Sequence, residues 1–290
     1  MDLPAPRALC NRAMSDTGFI KMHGLGNDFV VLDGRGRKLA LDSARIRALA
    51  DRRTGIGCDQ LLVIEAPRRA GADIFLGIHN ADGDEVSACG NGTRCAAALV
   101  MKETGRDKVT IETLAGLLTA EAAPGGLITV DMGPARTDWR DIPLSEARDT
   151  LHLDIAAGPL GDAVGVNVGN PHAVFFVDEV EAVAMEVHGP VIERHPLFPQ
   201  KTNVEAAQVV APGRIRMRVW ERGVGVTRAC GTGACATLIA ASRRGLTGRK
   251  ADIVVDGGVL TVEWKADNRV AMTGPVAVSF TGTIDGSLWP

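Results

Sequence analysis

Two cysteines far apart in the chain share the same short sequence context. Cys89 opens a Cys-Gly-Asn-Gly sequence, and Cys230, 141 residues later, opens Cys-Gly-Thr-Gly. A glycine turn before a mostly apolar run predicts a buried helix whose first N–H groups point at one spot, forming an anion site. The positive end of such a helix favours the thiolate, so we expect the pKa of both thiols to fall from about 8.5 toward about 5 to 7.

A pair of such sites can invert a carbon centre if the two halves of the chain face each other across a cleft. Two helix N-termini aimed into the cleft would hold one anion together, and a carboxylate is the natural occupant. One thiolate could remove the proton from the carbon next to that carboxylate while the opposite thiol supplies another. The helix dipoles would stabilise the charge that develops on the carboxylate. Cys89 and Cys230 are therefore the candidate acid–base pair.

Three other uses of the thiols remain open from the residues alone. A cysteine hydrolase needs one thiol beside a histidine, for which His172 is the candidate, but the second cysteine motif would then have no role. A redox dithiol is the second alternative, although these two thiols do not form a Cys-x-x-Cys motif. A metal site with Cys89, Cys230 and His172 as ligands is the third, but glycine turns favour anions over cations.

The duplication extends beyond the cysteines and indicates how they are positioned. The matched positions, first half before second, are residues 26–33 and 169–178, Gln60 and Asn203, and Asn80 and Glu221. Each half carries a β-rich opening run, a helical stretch and one buried glycine-initiated helix. We predict an α+β (α/β) fold with two pseudo-symmetric domains, each a curved mixed β-sheet or barrel around its central helix, with the active-site cleft between them.

Short β-rich runs bounded by turn residues predict the strands of these domains. They are residues 29–32, 60–64, 74–78, 108–111, 127–131, 173–177, 215–220, 253–255, 260–264 and 276–280. The proline-bounded segment 134–143 is the predicted link between the halves. Residues 1–17 contain prolines and arginines without an uninterrupted apolar core, so we expect a disordered extension there rather than a signal peptide.

The composition is that of a soluble globular protein and excludes several classes of partner. Of the 290 residues, 46% are hydrophobic and 23% charged, and the net charge is −3. Neither nucleic acid nor a membrane is therefore a predicted partner. Six cysteines are too few for a disulfide scaffold, and free thiols predict a cytoplasmic location. The cysteines expected to be buried apolar residues are Cys10, Cys58, Cys95 and Cys235.

Seven motifs, in order, make the sequence similar to the diaminopimelate epimerase family from about Phe19 to the C-terminus. They are residues 23–29, 55–60, 80–83, 88–94, 169–172, 221–223 and 229–234. The resemblance implies an epimerase without cofactor or metal that interconverts LL- and meso-diaminopimelate, a dicarboxylic diamino acid, on the route to lysine and peptidoglycan. It also implies two domains, at 18–133 plus 275–290 and at 134–274, and a homodimer. Phe280 stands where the family often has a tyrosine linked to its dimer contact.

The resemblance implies a role for each matching site residue. Cys89 and Cys230 become the catalytic acid–base thiols, and His172 and Glu221 tune their protonation. The backbone groups that would bind the reacting carboxylate belong to Gly90, Asn91, Gly231 and Thr232. The substrate-binding positions are Asn27, Gln60, Asn80, Asn170, Asn203, Glu221 and Arg222. The Arg222 guanidinium is suited to a bidentate grip on the distal carboxylate.

Two alternatives to this epimerase remain. A related amino-acid racemase of the proline racemase type shares the paired thiols, but a monocarboxylate substrate would have no use for Asn80, Asn203 and Arg222. A dicarboxylate-binding protein without catalytic activity would use the two anion sites alone. In that protein, turnover would be absent, and Cys89→Ser would leave ligand affinity intact.

Overall fold

The computed structural model describes residues 17–285 and residue 288 of the chain. Within these residues, the first half of the chain contains seven strands and two helices. They are β1 (Thr17–Gly24), β2 (Asn27–Asp33), α1 (Ser43–Ala50), β3 (Gln60–Glu65), β4 (Ile74–Asn80), α2 (Gly90–Thr104), β5 (Lys108–Thr113), β6 (Gly116–Ala123) and β7 (Leu127–Pro134), with a short 3₁₀ turn at Pro124–Gly126.

Ten strands and two helices follow in a similar order in the second half of the described residues. They are β8 (Leu153–Ala157), β9 (Leu160–Asn167), β10 (Pro171–Phe176), α3 (Met185–Glu193), β11 (Asn203–Ala211), β12 (Arg214–Glu221), β13 (Gly225–Val226), α4 (Gly231–Arg243), β14 (Lys250–Val255), β15 (Gly258–Trp264), β16 (Arg269–Gly274) and β17 (Ala277–Ile284), with a 3₁₀ turn at Val180–Ala182. All ten predicted strands are present. The sequence patterns missed β1, β6, β8, β9, β11, β13 and β16.

The strands pair into one continuous ribbon that runs through both halves. From edge to edge the order is β17, β1, β2, β3, β4, β5, β6, β7, β16, β15, β14, β12, β11, β10, β9 and β8, with the short β13 also paired to β12. The antiparallel pair of β7 and β16 joins the two halves. The last strand, β17, pairs with β1 at the start of the chain.

Strand pairing in the second half reproduces that of the first. β2 runs parallel to β3, and β10 runs parallel to β11. In the same way, β4 is parallel to β5, and β12 is parallel to β14. The helix between each of these last two pairs is α2 or α4. The predicted pseudo-symmetric α+β fold is confirmed, whereas the domain limits at 133/134 and 274/275 stay a prediction.

Each half wraps its strands around one buried helix. In α2, Cys95 and Ala96 have no exposed surface, and the same holds for Cys235 and Ala236 in α4. Small side chains let strands approach a helix from several sides at the packing density of a protein core. The predicted burial of Cys58, Cys95 and Cys235 is therefore confirmed. Cys10 lies outside the described residues.

The described chain begins inside a strand. Thr17 is paired with Ile284 in the sheet and so belongs to β1, whereas the rest of the extension predicted at 1–17 stays a prediction. Residues 1–16 lie outside the described residues. Among the helices of residues 17–285, none combines the length and the apolar composition that crossing a membrane requires.

Candidate active site

Cys89 and Cys230 occupy the same backbone position, immediately before the first residue of α2 and α4. Each sulfur accepts a hydrogen bond from the third residue that follows: the Gly92 N–H lies 3.4 Å from the Cys89 Sγ, and the Gly233 N–H lies 3.4 Å from the Cys230 Sγ. A side chain at this position normally satisfies one of the unpaired N–H groups that open a helix. The thiols thus replace the usual capping oxygen, which fixes both sulfurs at the positive ends of helices.

The N-termini of α2 and α4 lie close together, with one methionine side chain between them. A Cβ atom at Gly90 would lie 2.8 Å from the Met272 Cε, and one at Gly231 would lie 3.0 Å from the Met272 Sδ. A β carbon at either position would require the Met272 side chain to move, so the same methionine packs closely against both turns. The two sets of helix-opening N–H groups can therefore serve one anion.

Asn91 connects the first turn to the second. Its Nδ2 donates to the Asn27 Oδ1 at 3.2 Å and to the backbone oxygen of Ala229, the residue before Cys230, at 3.3 Å. The Cys89 Sγ lies 3.9 Å from that same Asn27 oxygen. Four sequence-predicted residues, Asn27, Cys89, Asn91 and Cys230, are thus held around one point where the halves meet. The hydroxyl of Thr232, the counterpart of Asn91, lies 3.5 Å from the Cys230 Sγ in its own turn.

A buried acidic group lies behind Cys230. His172 Nδ1 is 2.7 Å from Glu205 Oε1, and both side chains are fully buried. The other ring nitrogen of His172 is 2.9 Å from the Asn170 Oδ1. With both nitrogens engaged, His172 is not placed as the base of a cysteine hydrolase or as a metal ligand. Glu221 is the predicted residue that interacts with Cys230 itself, and its carboxylate also accepts a hydrogen bond from Thr227.

The expected fall in thiol pKa is wrong for both cysteines. Burial raises the pKa of the Cys89 thiol to about 11, and the Gly92 N–H opposes this rise only in part. Burial likewise raises the pKa of Cys230 well above its ordinary value, and the charges of Glu221 and Glu205 raise it further. Desolvation disfavours a thiolate more than one capping N–H favours it. Burial therefore favours the thiol over the thiolate at both cysteines.

The other predicted substrate-binding residues form two pairs away from the sulfurs. In the first half, the Gln60 Nε2 donates to the Asn80 Oδ1 at 2.9 Å across neighbouring strands, and the Gln60 Oε1 is buried without a partner among the described residues. In the second half, the Asn203 Oδ1 accepts the backbone N–H of Arg222 at 2.9 Å. The Arg222 side chain is exposed and donates to the Gln200 backbone oxygen at 3.0 Å.

The geometry can be compared with that of known proteins. A sequence profile of the family described as diaminopimelate epimerase matches residues 19–137 and 164–279 of this chain. The diaminopimelate epimerase of Rhodospirillum centenum is 60% identical over 272 residues, which cover 94% of this chain and 94% of that protein. The chain belongs to the diaminopimelate epimerase family. The resemblance that the seven motifs indicated is thereby confirmed, and it covers both halves of the chain.

Solved structures outside the diaminopimelate epimerase family share this fold. A hydroxyproline epimerase from Agrobacterium vitis superposes with a TM-score of 0.67 at 19% identity, covering 94% of each chain. A phenazine biosynthesis protein of the PhzF family from Bacillus anthracis gives a TM-score of 0.68 at 15% identity, covering 94% of this chain and 100% of that one. Identities this low show the fold alone. Proteins of the racemase alternative are thus related to this chain by fold alone.

Two buried charged residues near Cys89 and Cys230 were not predicted to have a role. Glu205 packs against the turn of Cys230, because a Cβ at Gly233 would lie 2.9 Å from the Glu205 Oε1. Arg94 has no exposed surface and donates to the Asn91 Oδ1 at 2.8 Å. In the sequence, the signal for both was available: each is a charged residue inside an otherwise apolar strand or helix, where an unexplained charge indicates function.

Proposed function

We propose that this chain interconverts LL- and meso-diaminopimelate with Cys89 and Cys230 on opposite faces of the α-carbon, one removing the α-proton and the other donating a different proton. The observation that carries the proposal is the placement of the two sulfurs at equivalent caps of two helices whose N-termini lie next to each other. Membership of the diaminopimelate epimerase family identifies the substrate. Peptidoglycan and lysine synthesis are the routes that this reaction would serve.

In the proposed reaction, the α-carboxylate binds at the N–H groups of the two turns, at Gly90 with Asn91 and at Gly231 with Thr232. One thiolate takes the α-proton, and the electron pair of the C–H bond moves into the carboxylate. The other thiol donates its proton to the opposite face of the carbon, which inverts the centre. The two thiols exchange protonation states and no electron is gained or lost, so the reaction needs no cofactor. The N–H groups stabilise the extra charge on the carboxylate, as in an oxyanion hole.

A thiol with a raised pKa needs an acceptor before it can act as the base. Glu221 is suited to this task at Cys230, because burial raises the pKa of its carboxyl, although hydrogen bonds from Thr227 and Cys230 oppose the rise. A carboxylate of raised pKa is the better match for a thiol proton. The neighbouring pair acts on Glu221 in opposite senses, since Glu205 raises the pKa of Glu221 and His172 lowers it.

Recognition of the distal end is assigned to the remaining predicted residues. They are Asn27, Gln60, Asn80, Asn170, Asn203 and Arg222. The unpartnered Gln60 oxygen can accept from an ammonium group, and the exposed Arg222 guanidinium can bind a carboxylate with two parallel hydrogen bonds. These groups favour a dicarboxylic diamino acid over proline, which has neither a second carboxylate nor a second amine.

We also propose a cytoplasmic homodimer that forms through Phe280. This residue is 50% exposed on β17, which pairs with β1 alone and leaves its other edge free within the described residues. An exposed edge strand that carries apolar side chains is a ready surface for a second copy. The Phe19 ring supports Phe280 from the adjacent strand, edge to face, at 5.9 Å.

Proton NMR of LL-diaminopimelate incubated with the protein in D₂O, without added cofactor, tests the function. We expect meso product with deuterium at the inverted α-carbon, while residual substrate stays largely protonated at early times. Cys89→Ala should abolish both the formation of meso product and the incorporation of deuterium into it. Turnover of L-proline but not of diaminopimelate would favour the racemase alternative, and binding without any α-proton exchange would favour a non-catalytic binding protein. Either of these results would contradict the proposal.

A further inference from the structure

Arg94 is a fully buried arginine without a carboxylate partner in the part of the chain that the structure describes. Its Nη2 donates to the Asn91 Oδ1 at 2.8 Å, and its Nη1 lies 3.6 Å from the sulfur of Met272. Its Nε is buried and has no partner. Guanidinium groups inside proteins are normally paired with an acid. This one is held only by an amide oxygen and a thioether, so its charge is not neutralised by the surrounding side chains.

Both halves of the molecule contribute to the socket of this guanidinium. A Cβ at Gly24, the last residue of β1, would lie 3.1 Å from the Arg94 Nη2. A Cβ at Gly274, the last residue of β16, would lie 3.3 Å from the Arg94 Nε and Cζ. A β carbon at either position would require the guanidinium to shift by a few tenths of an ångström, and one at Gly274 would also meet the Leu260 side chain at 2.5 Å. The fold therefore keeps a space for an unneutralised cation at the junction of the halves.

Arg94 is connected to the turns of both cysteines and not only to the one that opens its own helix. Arg94 binds the Asn91 amide, and that amide in turn donates to Asn27 and to the backbone oxygen of Ala229, beside Cys230. Its charge acts on the Cys89 thiol. The residue that matches Arg94 in the second half is Cys235, which is neutral and buried. Two thiols that act on one carbon share one carboxylate, so a single cation behind the helix N-termini is sufficient.

We propose that Arg94 is the positioning residue and the buried counter-charge for the carboxylate held between the two cysteine turns. It fixes the Asn91 amide that joins the turns, and its positive charge stabilises the second negative charge that the carboxylate acquires when the α-proton leaves. Arg94 acts through Asn91 and through its field, without touching the substrate. This inference rests on the proposed function.

The test compares Arg94→Met and Arg94→Lys with the wild type in the diaminopimelate assay and in thermal unfolding. For Arg94→Met we expect kcat to fall about 10²-fold or more, as on loss of an oxyanion donor, with KM changed less than about tenfold. Arg94→Lys should recover at least about tenfold of the lost kcat, since it restores the charge. The melting temperature of Arg94→Met should equal or exceed that of the wild type, because an unpaired buried charge has been removed.

Arg243 provides a matched control, because it is an arginine of α4 that is bonded to the backbone oxygens of Thr150 and Gly165. Arg243→Met should lower the melting temperature and leave kcat within about threefold. A fall in melting temperature for Arg94→Met together with no recovery by Arg94→Lys would make Arg94 merely structural and overturn the inference. So would a kcat of Arg94→Met within about threefold of wild type. Wild-type turnover in the same assay separates these failures from failure of the proposed function.

Discussion

The two cysteine turns have the same backbone and different electrical surroundings. At Cys89 the field of Arg94 favours the thiolate and that of Glu221 opposes it, whereas at Cys230 both Glu221 and Glu205 oppose it. Exposure differs in the same sense, since Cys230 is 4% exposed and Cys89 retains more surface. Burial raises the pKa of both thiols, and the two carboxylates add to the rise at Cys230, whereas Arg94 opposes it at Cys89.

This difference teaches that the duplication has been conserved where geometry matters and has diverged where charge matters. Inversion of a carbon centre needs two sulfurs in equivalent places, and the two helix caps provide them. It also needs one sulfur deprotonated and the other protonated at any moment. Two turns with identical charges around them would compete for one proton, whereas unequal surroundings assign it. Arg94 near Cys89 and Glu221 with Glu205 near Cys230 are the groups that make the surroundings unequal.

Removal of either sulfur should break the pairing and have the largest effect. We expect Cys89→Ala and Cys230→Ala each to reduce kcat/KM for epimerisation by about 10³-fold or more, because each group supplies one of the two proton transfers. Cys95→Ala and Cys235→Ala are the matched controls, since these thiols lie inside the same helices without exposed surface. Their kcat/KM should stay within about threefold. A single catalytic-site variant that keeps full activity would contradict the two-base reaction.

The outer strands of the ribbon are a second place where the halves differ. In β8 the residues Leu153, Ile155 and Ala157 alternate as buried positions, while β17 is exposed at five consecutive residues from Ala277 to Thr281. We expect Phe280→Asp to raise the dissociation constant of the proposed dimer about 10²-fold, measured by analytical ultracentrifugation, because it places a charge on the edge strand proposed as the interface. Ala156→Asp is the control, because Ala156 is an exposed residue of β8, and it should leave association unchanged. An unaltered mass for Phe280→Asp would contradict the interface.

The acidic surroundings of Cys230 can be altered without loss of shape. Glu221→Gln keeps the oxygen that accepts from Thr227 and removes the charge that acts on both thiols. The pKa of Cys230 should fall, so its alkylation should move to lower pH, while kcat should fall about 10²-fold because the proton acceptor is lost. Glu263→Gln on β15, where Glu263 pairs with Lys250 at the surface, is the control. A Cys230 alkylation profile that does not move would contradict the role of Glu221.

Local sequence was sufficient to predict the parts of the site that depend on backbone geometry. The glycine-bounded turns, the start of both central helices and the end of α2 at Gly105 follow from residue types within a few positions, and φ of 68° at Gly105 agrees with its role. Strands escaped prediction where polar residues interrupt the pattern. In β1, Lys21 is buried because it pairs with Asp28, a partner on the next strand.

Properties that depend on packing across the halves could not be predicted in this way. The thiol pKa was expected to fall because the helix end is visible in the sequence, but desolvation depends on Met272 and on strands distant along the chain. Glu205 shows the same limit, since only the parallel pairing of β10 and β11 brings it to His172. The resemblance to a family supplied residue roles, but neither Arg94 nor Glu205 had one.

The sharpest test of the difference between the turns is the order in which the thiols react. Because the pKa of Cys89 is about 11 and that of Cys230 lies well above the ordinary value, both thiolate fractions should rise about tenfold per pH unit through neutral and mildly alkaline pH. We expect iodoacetamide to modify Cys89 faster than Cys230, because Cys89 retains more exposed surface and Arg94 favours its thiolate. Mass spectrometry of peptides that contain each cysteine follows the two rates. Equal rates would mean that Arg94 and the acidic group do not distinguish the thiols. Faster reaction of Cys230 would mean that Glu221, as a proton acceptor beside Cys230, outweighs the effect of Arg94 at Cys89, because the thiol that ionises more readily reacts first.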